Sequence, residues 1–460
     1  MFEPGQHIHL VGIGGIGLSA IARVLLLRGC RVTGSDMQAN AQTAALQALG
    51  ATVYRGHAAE HADGADLVII SSAVPPDNPE VVAARARGVR VVERVDILAD
   101  LMQGYTGVAV AGTHGKTTTT AMIVHLLVQT GRDPTYIVGG VVPTTGTNAD
   151  VGQGGAFVIE ADEYGHMFLG LRPRISVITS IEHDHPDMFP TLDALLEEFR
   201  KFAALTPPEG MLIVCADDRN ALAATEPRRA AGWPVMTYGI VQEPVDWRAV
   251  DVRADGHGMA FSVMRSGQVL GTGRLIVPGV HNVLNALAAL AVGDQLGVPV
   301  TDALDALASF RGAGRRFEVR GMAGGVTVID DYAHHPTAIR LTLQAARAAY
   351  PEARIWAVWQ PHTFSRLRAL FDAFAGAFVP ENVDYVLVTD VYAAREKVSP
   401  GPGVPELVAR AAHPDIRHTP TFDDTLAALI SGLQPGDVVL ILSAGDAPQI
   451  GVRLLDALNS

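Results

Sequence analysis

Short apolar runs alternate with stretches of helical spacing through the first hundred or so residues. His7–Val11 reads as a strand, a glycine-rich turn follows, and Ile16–Leu27 carries apolar residues at helical spacing. Arg31–Thr33, Asp66–Ser71 and Val89–Val92 read as three further strands. Strands alternating with helices imply a parallel sheet covered by helices. A second unit of this kind starts at Gly107. Val108–Ala111 is its first strand, Thr117–Gln129 the helix after it, and Ala156–Glu160 and Ile175–Ile181 are apolar runs typical of strands buried on both faces. Beyond Gly210 the helical period fades. Met211–Val214, Ala260–Val263 and Leu275–Val277 read as short strands with turns such as Asp255-Gly256 between them, so antiparallel pairing is expected there. Helices follow at His281–Leu296 and Thr301–Phe310. Arg311-Gly312-Ala313-Gly314-Arg315-Arg316 reads as a linker. A third unit places strands at Val326–Ile329, Arg354–Trp359, Tyr385–Thr389 and Val438–Leu442. The expected fold is α/β, three consecutive α/β domains at 1–104, 105–312 and 313–460.

Length agrees: 460 residues exceed what one core holds and suggest roughly three domains. A net charge of −13 argues against nucleic acid, which needs clustered Lys and Arg. It leaves room for small anions held by local N–H groups and one Lys. The two cysteines, Cys30 and Cys215, form no disulfide framework and fit a reducing cytoplasm. The N-terminus has no basic segment followed by an apolar one, so no signal peptide is expected. No apolar run reaches the ~18 residues of a membrane span, so no membrane insertion is expected.

Six candidate segments stand at the ends of strands. The most specific is Gly112-Thr113-His114-Gly115-Lys116-Thr117, between a strand and a helix. Glycines there let N–H groups approach phosphate, the helix N-terminus adds partial positive charge, Lys116 reaches the terminal phosphates and the Thr117 hydroxyl can ligate Mg²⁺. Its first glycine comes two places later than in G-x-x-x-x-G-K-[ST], at Gly112 rather than at position 110, which is Val. A chance G-K-T in a loop is the bland alternative, and the flanking strand and helix argue against it. Gly12-Ile13-Gly14-Gly15-Ile16-Gly17, with Asp36 after the next strand, contains a dinucleotide fingerprint. Such a loop suits a nicotinamide cofactor, a sugar-nucleotide pyrophosphate, or a tight turn with no ligand. Glu160-Ala161-Asp162-Glu163 is placed to hold Mg²⁺ or is a solvated acidic loop. Ile181-Glu182-His183-Asp184-His185-Pro186-Asp187 suggests metal ligation or proton transfer, with a zinc site as the sharper alternative. Asp330-Asp331-Tyr332-Ala333-His334-His335-Pro336 and Gln360-Pro361-His362-Thr363-Phe364-Ser365-Arg366 end neighbouring strands of the third unit.

In this order, with Ser71-Ser72-Ala73-Val74, His281-Asn282-Val283-Leu284-Asn285-Ala286 and Arg315-Arg316-Phe317, these segments resemble the Mur ligases, the amino-acid ligases of peptidoglycan assembly. The resemblance runs nearly end to end. It implies a Rossmann-like UDP-binding domain, a central P-loop ATPase-like domain and a Rossmann-like C-terminal domain on the amino-acid side. It implies a cytoplasmic enzyme of cell-wall biogenesis, and so of cell shape and division. The nearest branch uses ATP and Mg²⁺, for which Mn²⁺ can substitute, to join L-alanine to the lactyl carboxylate of UDP-N-acetylmuramate through an acyl phosphate. By resemblance, Gly112, Thr113, His114, Gly115, Lys116, Thr117 and Thr118 hold the ATP phosphates, and Thr117, Glu160 and His185 the metal. His281, Asn282 and Asn285 hold adenine, Arg316 reaches the γ-phosphate and Asp331 contacts ribose. Lys116, Glu160, His185 and Arg316 are then the catalytic set. Gly12, Ile13, Gly14, Gly15, Ile16, Gly17, Asp36, Ser72 and Asn148 take the UDP-sugar, and Tyr332, His334 and Arg366 the amino acid. Lys116 and Arg316 fall in different expected domains, so closure of the third domain on the second is expected.

Three departures bear on the acceptor. Tyr164-Gly165 follows Glu163 where Ser-Asp is frequent, Ser443-Ala444-Gly445-Asp446 replaces G-A-G-D, and position 363 is Thr where many members carry Arg. A Tyr after the acidic cluster also occurs in the related ligase that recycles murein tripeptide. That ligase is one alternative. A nicotinamide oxidoreductase built on Gly12–Gly17 and a non-catalytic sugar-nucleotide sensor are two others.

Overall fold

The computed structural model describes residues 2–71, 73–394, 396–397 and 401–459. The chain packs as two compact units. One comprises Met1–Ile181, Leu196–Trp247 and Ala288–Ala306, the other Glu182–Leu195, Arg248–Leu287 and Leu307–Ser460.

The first unit opens with a parallel sheet of β1 (His7–Val11), β2 (Arg31–Asp36), β3 (Thr52–Arg55), β4 (Leu67–Ile70) and β5 (Arg90–Glu93), in the order β3-β2-β1-β4-β5. The order reverses direction between β1 and β4, and the glycine loop leaves the carboxyl end of β1 at that switch point, where α/β sheets bind ligands. Val11, Val68 and Ile70 pack on Val81 and Ala84 of the helix Pro79–Ala86. That helix starts where it does because Pro79 suits its first position and Asn78 Oδ1 accepts from Glu80 N at 3.0 Å. The strand β3 has no counterpart in the apolar pattern. It is an edge strand whose Thr52 and Arg55 are exposed, so it has no apolar run to read.

A second sheet of this unit holds β6 (Thr106–Ala111), β7 (Thr135–Val142), β8 (Thr147–Asp150), β9 (Ala156–Glu160), β10 (Ile175–Ile178), β11 (Met211–Cys215) and β12 (Val235–Gly239). They lie in the order β12-β11-β10-β6-β9-β7-β8. Val108, Ala109, Val110 and Ala111 of central β6 are 0% exposed, and burying a valine side chain stabilises by about 1.5–3 kcal/mol. The expectation that Met211–Val214 pairs antiparallel is corrected: Ile175 is in parallel register with Met211. The helix Leu192–Leu205 intervenes in sequence and provides the crossover that parallel pairing requires. The strands β7 and β8 pair antiparallel. They escape the apolar pattern because Gly139 and Gly140 interrupt one and Thr147-Asn148 opens the other.

In the second unit β13 (Trp247–Asp255), β14 (Gly258–Arg265) and β15 (Gln268–Leu275) follow in chain order, with β14 and β15 antiparallel. Ser266 (φ 47°) and Gly267 (φ 83°) make the two-residue left-handed turn that such hairpins favour. The third strand of this meander therefore precedes the expected Leu275–Val277. The last sheet contains β16 (Glu318–Ala323), β17 (Val326–Asp331), β18 (Ile355–Trp359), β19 (Tyr385–Val388), β20 (Ile416–His418) and β21 (Val438–Leu442), in the order β16-β17-β21-β18-β19-β20. All its pairs are parallel except β16 with β17. Alternation divides its residues between two cores. Ile355, Ala357 and Trp359 enter one face, Trp356 and Val358 the other. Among the described residues no helix is long and apolar enough to cross a membrane.

Candidate active site

The phosphate loop is strapped by its neighbour in the sheet. After β6, Gly112 adopts φ 139°, and a Cβ there would collide with Thr179 Oγ1. Thr113 N donates to Ser180 O at 2.8 Å, His114 N to Ser180 Oγ at 3.1 Å, and Thr179 Oγ1 to His114 O at 2.5 Å. Gly115 (φ 80°) then turns the chain into the helix Lys116–Gln129. Only glycine adopts both conformations without strain, so the loop's geometry requires both Gly112 and Gly115.

Lys116 Nζ donates to Gly112 O at 2.6 Å and to both oxygens of Glu163, at 3.1 and 2.8 Å. Glu163 is 0% exposed. Burial raises its carboxyl, Lys116 opposes the rise and Asp162 adds to it, leaving Glu163 at about 7. Burial lowers the ammonium of Lys116, but Glu163, Asp162 and Glu160 outweigh that and raise it. Lys116 stays charged, held against the Glu163 carboxyl. Beside it, Thr117 Oγ1 donates to Glu160 Oε1 at 2.8 Å, and Gly139 N to Glu160 Oε2 at 2.6 Å. A hydroxyl and a carboxylate held this close form the all-oxygen donor set that suits Mg²⁺, so Thr117 and Glu160 fit the metal expected of them.

The first glycine loop is built differently. Gly12 N and Ile13 N donate to Ser35 O at 2.8 and 3.0 Å. Gly14 N donates to Asp36 Oδ2 at 2.9 Å, and Asn40 Nδ2 to Gly14 O at 3.1 Å. Asp36 thus takes one loop amide, and among the described residues no side chain caps the first turn of the helix Ile16–Leu27, the end of a helix that attracts anions. Ser35 is itself held by Glu80, whose Oε2 accepts from Ser35 Oγ at 2.6 Å. His9, His57 and His61 also lie on Glu80. Burial would raise the Glu80 carboxyl, but hydrogen bonds from His9, Ser35 and His61 bring it down to about 2. Arg23 Nε, on the helix after the loop, donates to Ala149 O at 2.7 Å and so brings the Asn148 strand alongside. Ser72 lies outside the described residues.

In the second unit, His281, Asn282 and Asn285 open the helix Val280–Gln295. Asn282 Nδ2 donates to Pro278 O at 2.6 Å, and Asn285 Nδ2 to Asn282 Oδ1 at 3.1 Å. The linker is tied to β17 by hydrogen bonds. Arg315 (φ 57°) and Phe317 (φ 51°) are left-handed, and Asp331 Oδ2 accepts from Phe317 N at 2.7 Å while its Oδ1 accepts from Ala333 N at 2.8 Å. Both Asp331 oxygens therefore already serve the backbone. Burial raises its carboxyl, partly offset by Arg316. The Arg315 and Arg316 guanidinium carbons each lie 5.0 Å from the Tyr332 ring centroid. The rings of Tyr332 and His334 meet at 5.3 Å, and those of His334 and His362 at 5.8 Å. Burial and then Arg366 hold His334 well below the ordinary histidine value. Its Nδ1 lies 2.9 Å from Tyr332 O, a carbonyl that only accepts, so the neutral ring carries its proton there and offers Nε2 as an acceptor. His362 is lowered to about 4 by burial and Arg366. Arg366 pairs with Asp184, next to His185.

Thus the phosphate loop and Glu160 meet in one unit, and Tyr332, His334 and Arg366 gather with His185 in the other. The resemblance gave no individual role to Glu163, Thr179, Ser180, Asp184 or His362. Thr179-Ser180 was nonetheless legible in principle, since it follows the apolar run that pairs with β6.

Three family models match the chain in succession: the Mur ligase family catalytic domain over residues 7–106, the Mur ligase middle domain over 110–293, and the Mur ligase glutamate ligase domain over 315–445. A UDP-N-acetylmuramate–L-alanine ligase of Salinibacter ruber is 46% identical over 460 residues, covering 98% of this chain and 95% of its own. Among solved structures, the UDP-N-acetylmuramate–alanine ligase MurC of Thermotoga maritima is similar with a TM-score of 0.82 at 30% identity, over 98% of both chains. A murein peptide ligase of Psychrobacter arcticus gives a TM-score of 0.73 at 28% identity, over 99% of both.

Proposed function

The chain belongs to the Mur ligase family, and from that premise we propose how it acts. It is an ATP-dependent ligase of peptidoglycan synthesis that joins L-alanine to UDP-N-acetylmuramate. The observation that carries the ATP site is the strapped loop at Gly112–Thr117, with Lys116 charged and Glu160 beside Thr117. The family assignment replaces the nicotinamide reading of the first glycine loop, which takes the UDP-sugar with Asp36 and Asn148. The domain limits 1–104, 105–312 and 313–460 belong to the same proposal, as does a cytoplasmic setting.

A carboxylate is a poor electrophile, so the lactyl carboxylate first attacks the γ-phosphorus of ATP and ADP leaves. Lys116 and the loop amides offset the repulsion between the two anions, with Arg316 as a second cation for the γ-phosphate. Thr117 and Glu160, joined by His185, would hold Mg²⁺, which supplies charge neutralisation on the phosphates. Adenine falls to His281, Asn282 and Asn285, and ribose to Asp331. Tyr332, His334 and Arg366 orient the amino acid, with Arg366 receiving its carboxylate. The amine attacks the acyl carbon, the amide bond forms, and inorganic phosphate leaves. His334 Nε2 is the acceptor for the proton that the attacking nitrogen sheds.

One observation favours a second reading of the acceptor. Tyr164 follows the acidic cluster, as in the murein tripeptide ligase. ADP release measured with UDP-N-acetylmuramate, ATP and Mg²⁺ against single amino acids and the tripeptide decides it. L-alanine is expected to support turnover, and turnover with the tripeptide alone would overturn the alanine assignment.

A further inference from the structure

The segment Ile181–Asp187 supplied one metal ligand by resemblance, His185, and no individual role for Asp184. Asp184 is 5% exposed and Arg366 4%. Asp184 Oδ1 accepts from Arg366 Nε at 3.0 Å and from Arg366 Nη2 at 2.6 Å. The same oxygen accepts from the backbone N–H of His185 at 2.7 Å. His185 adopts φ 53°, a left-handed conformation uncommon for a residue with a side chain, and this bond helps hold it there. Arg366 Nη2 lies 3.4 Å from His185 Nδ1, and Nη1 lies 3.2 Å from His362 Nδ1. One edge of the guanidinium is therefore closed by Asp184. The Nη1 side, next to His362, is the part left for an incoming carboxylate.

We propose that Asp184 is a positioning residue for the acceptor: its carboxylate locks Arg366 and the His185 backbone into one arrangement, so that the acceptor's carboxylate meets a preset, single-edged guanidinium. A long arginine that is free to rotate loses side-chain entropy when it captures a ligand. One already held by a charge-assisted pair has lost that freedom on folding. The inference rests on the reading of Arg366 as the acceptor's partner, and it assigns Asp184 no contact with substrate.

The test compares wild type with D184N and D184E. In D184N the KM for L-alanine is expected to rise about tenfold or more while the KM for UDP-N-acetylmuramate stays within about twofold. D184E, which keeps the charge, is expected to recover much of that loss. A role that followed side-chain volume alone would leave the near-isosteric D184N close to wild type and make the larger D184E the weaker variant. The second readout needs no turnover: in the substrate-free protein the Arg366 Nε–H resonance is expected to exchange slowly with water, and to do so no longer in D184N. An unchanged acceptor KM in folded D184N overturns the proposal. So does a rapidly exchanging Arg366 Nε–H in the wild type, which decides the matter even if D184N does not fold. Should wild type use the tripeptide instead of L-alanine, the alanine assignment fails by itself, and the Asp184 inference is read on the tripeptide's KM.

Discussion

The two glycine loops share a frame and differ in their charged partners. Each leaves the carboxyl end of a buried strand, turns on a left-handed glycine (Gly12 or Gly115) and enters a helix. In the first loop the charged partner is a carboxylate: Asp36 on Gly14 N. In the second it is a lysine, Lys116, held by Glu163. A loop that only anchors a pyrophosphate needs oriented amides and can tolerate an acid nearby. A loop that transfers a phosphoryl group needs a cation that is charged and movable between partners. In the proposed function that difference separates a loop that binds from a loop at which reaction takes place.

The largest expected effect falls on the second loop. Lys116→Ala should lower kcat by roughly 10²–10³ or more, the scale of losing one transition-state charge partner. Binding of UDP-N-acetylmuramate, measured by calorimetry, should be unchanged. ATP turnover untouched by this change would erase the contrast between the loops. Next comes Gly14→Val. A Cβ there would lie 2.9 Å from Asp36 Oδ2 and 3.0 Å from Asn40 Nδ2, so both must shift. The KM for UDP-N-acetylmuramate should rise about tenfold, with the KM for ATP unmoved, because uniform binding is lost and not chemistry. The smallest is Glu163→Gln, read against pH. Glu163 sits at about 7, so its carboxylate competes with phosphate for Lys116 above that pH and is largely protonated below it. The variant should lower the KM for ATP a few-fold, about two to five, at pH 8 and barely at pH 6. Equal ratios at both pH values would remove Glu163 from the account of the loop.

The apolar pattern located the strands that are buried on both faces, such as β1, β6, β9 and β21. It passed over edge strands, β3, β16 and β20, whose side chains largely face solvent: Val319 and Met322 of β16 are 55% and 69% exposed. It also misjudged Met211–Val214, because apolar residues report burial and not strand direction. The candidate site shows the same division. Gly112, Gly115, Lys116 and Thr117 stood out in the sequence because the phosphate chemistry proposed for them depends on adjacent residues. By contrast, nothing local to Asp331 told that its two oxygens hold Phe317 N and Ala333 N.

By itself the sequence determined the phosphate loop, the α/β class and the family. All three are written in local order: glycines at fixed offsets, apolar runs of strand length, and motifs in succession. Only the tertiary structure decided which charges meet. Lys116 finds Glu163 across 47 residues, and Asp184 finds Arg366 across 182. A buried charge is tolerated only with a partner, but which partner it takes depends on how strands distant in sequence come to lie side by side.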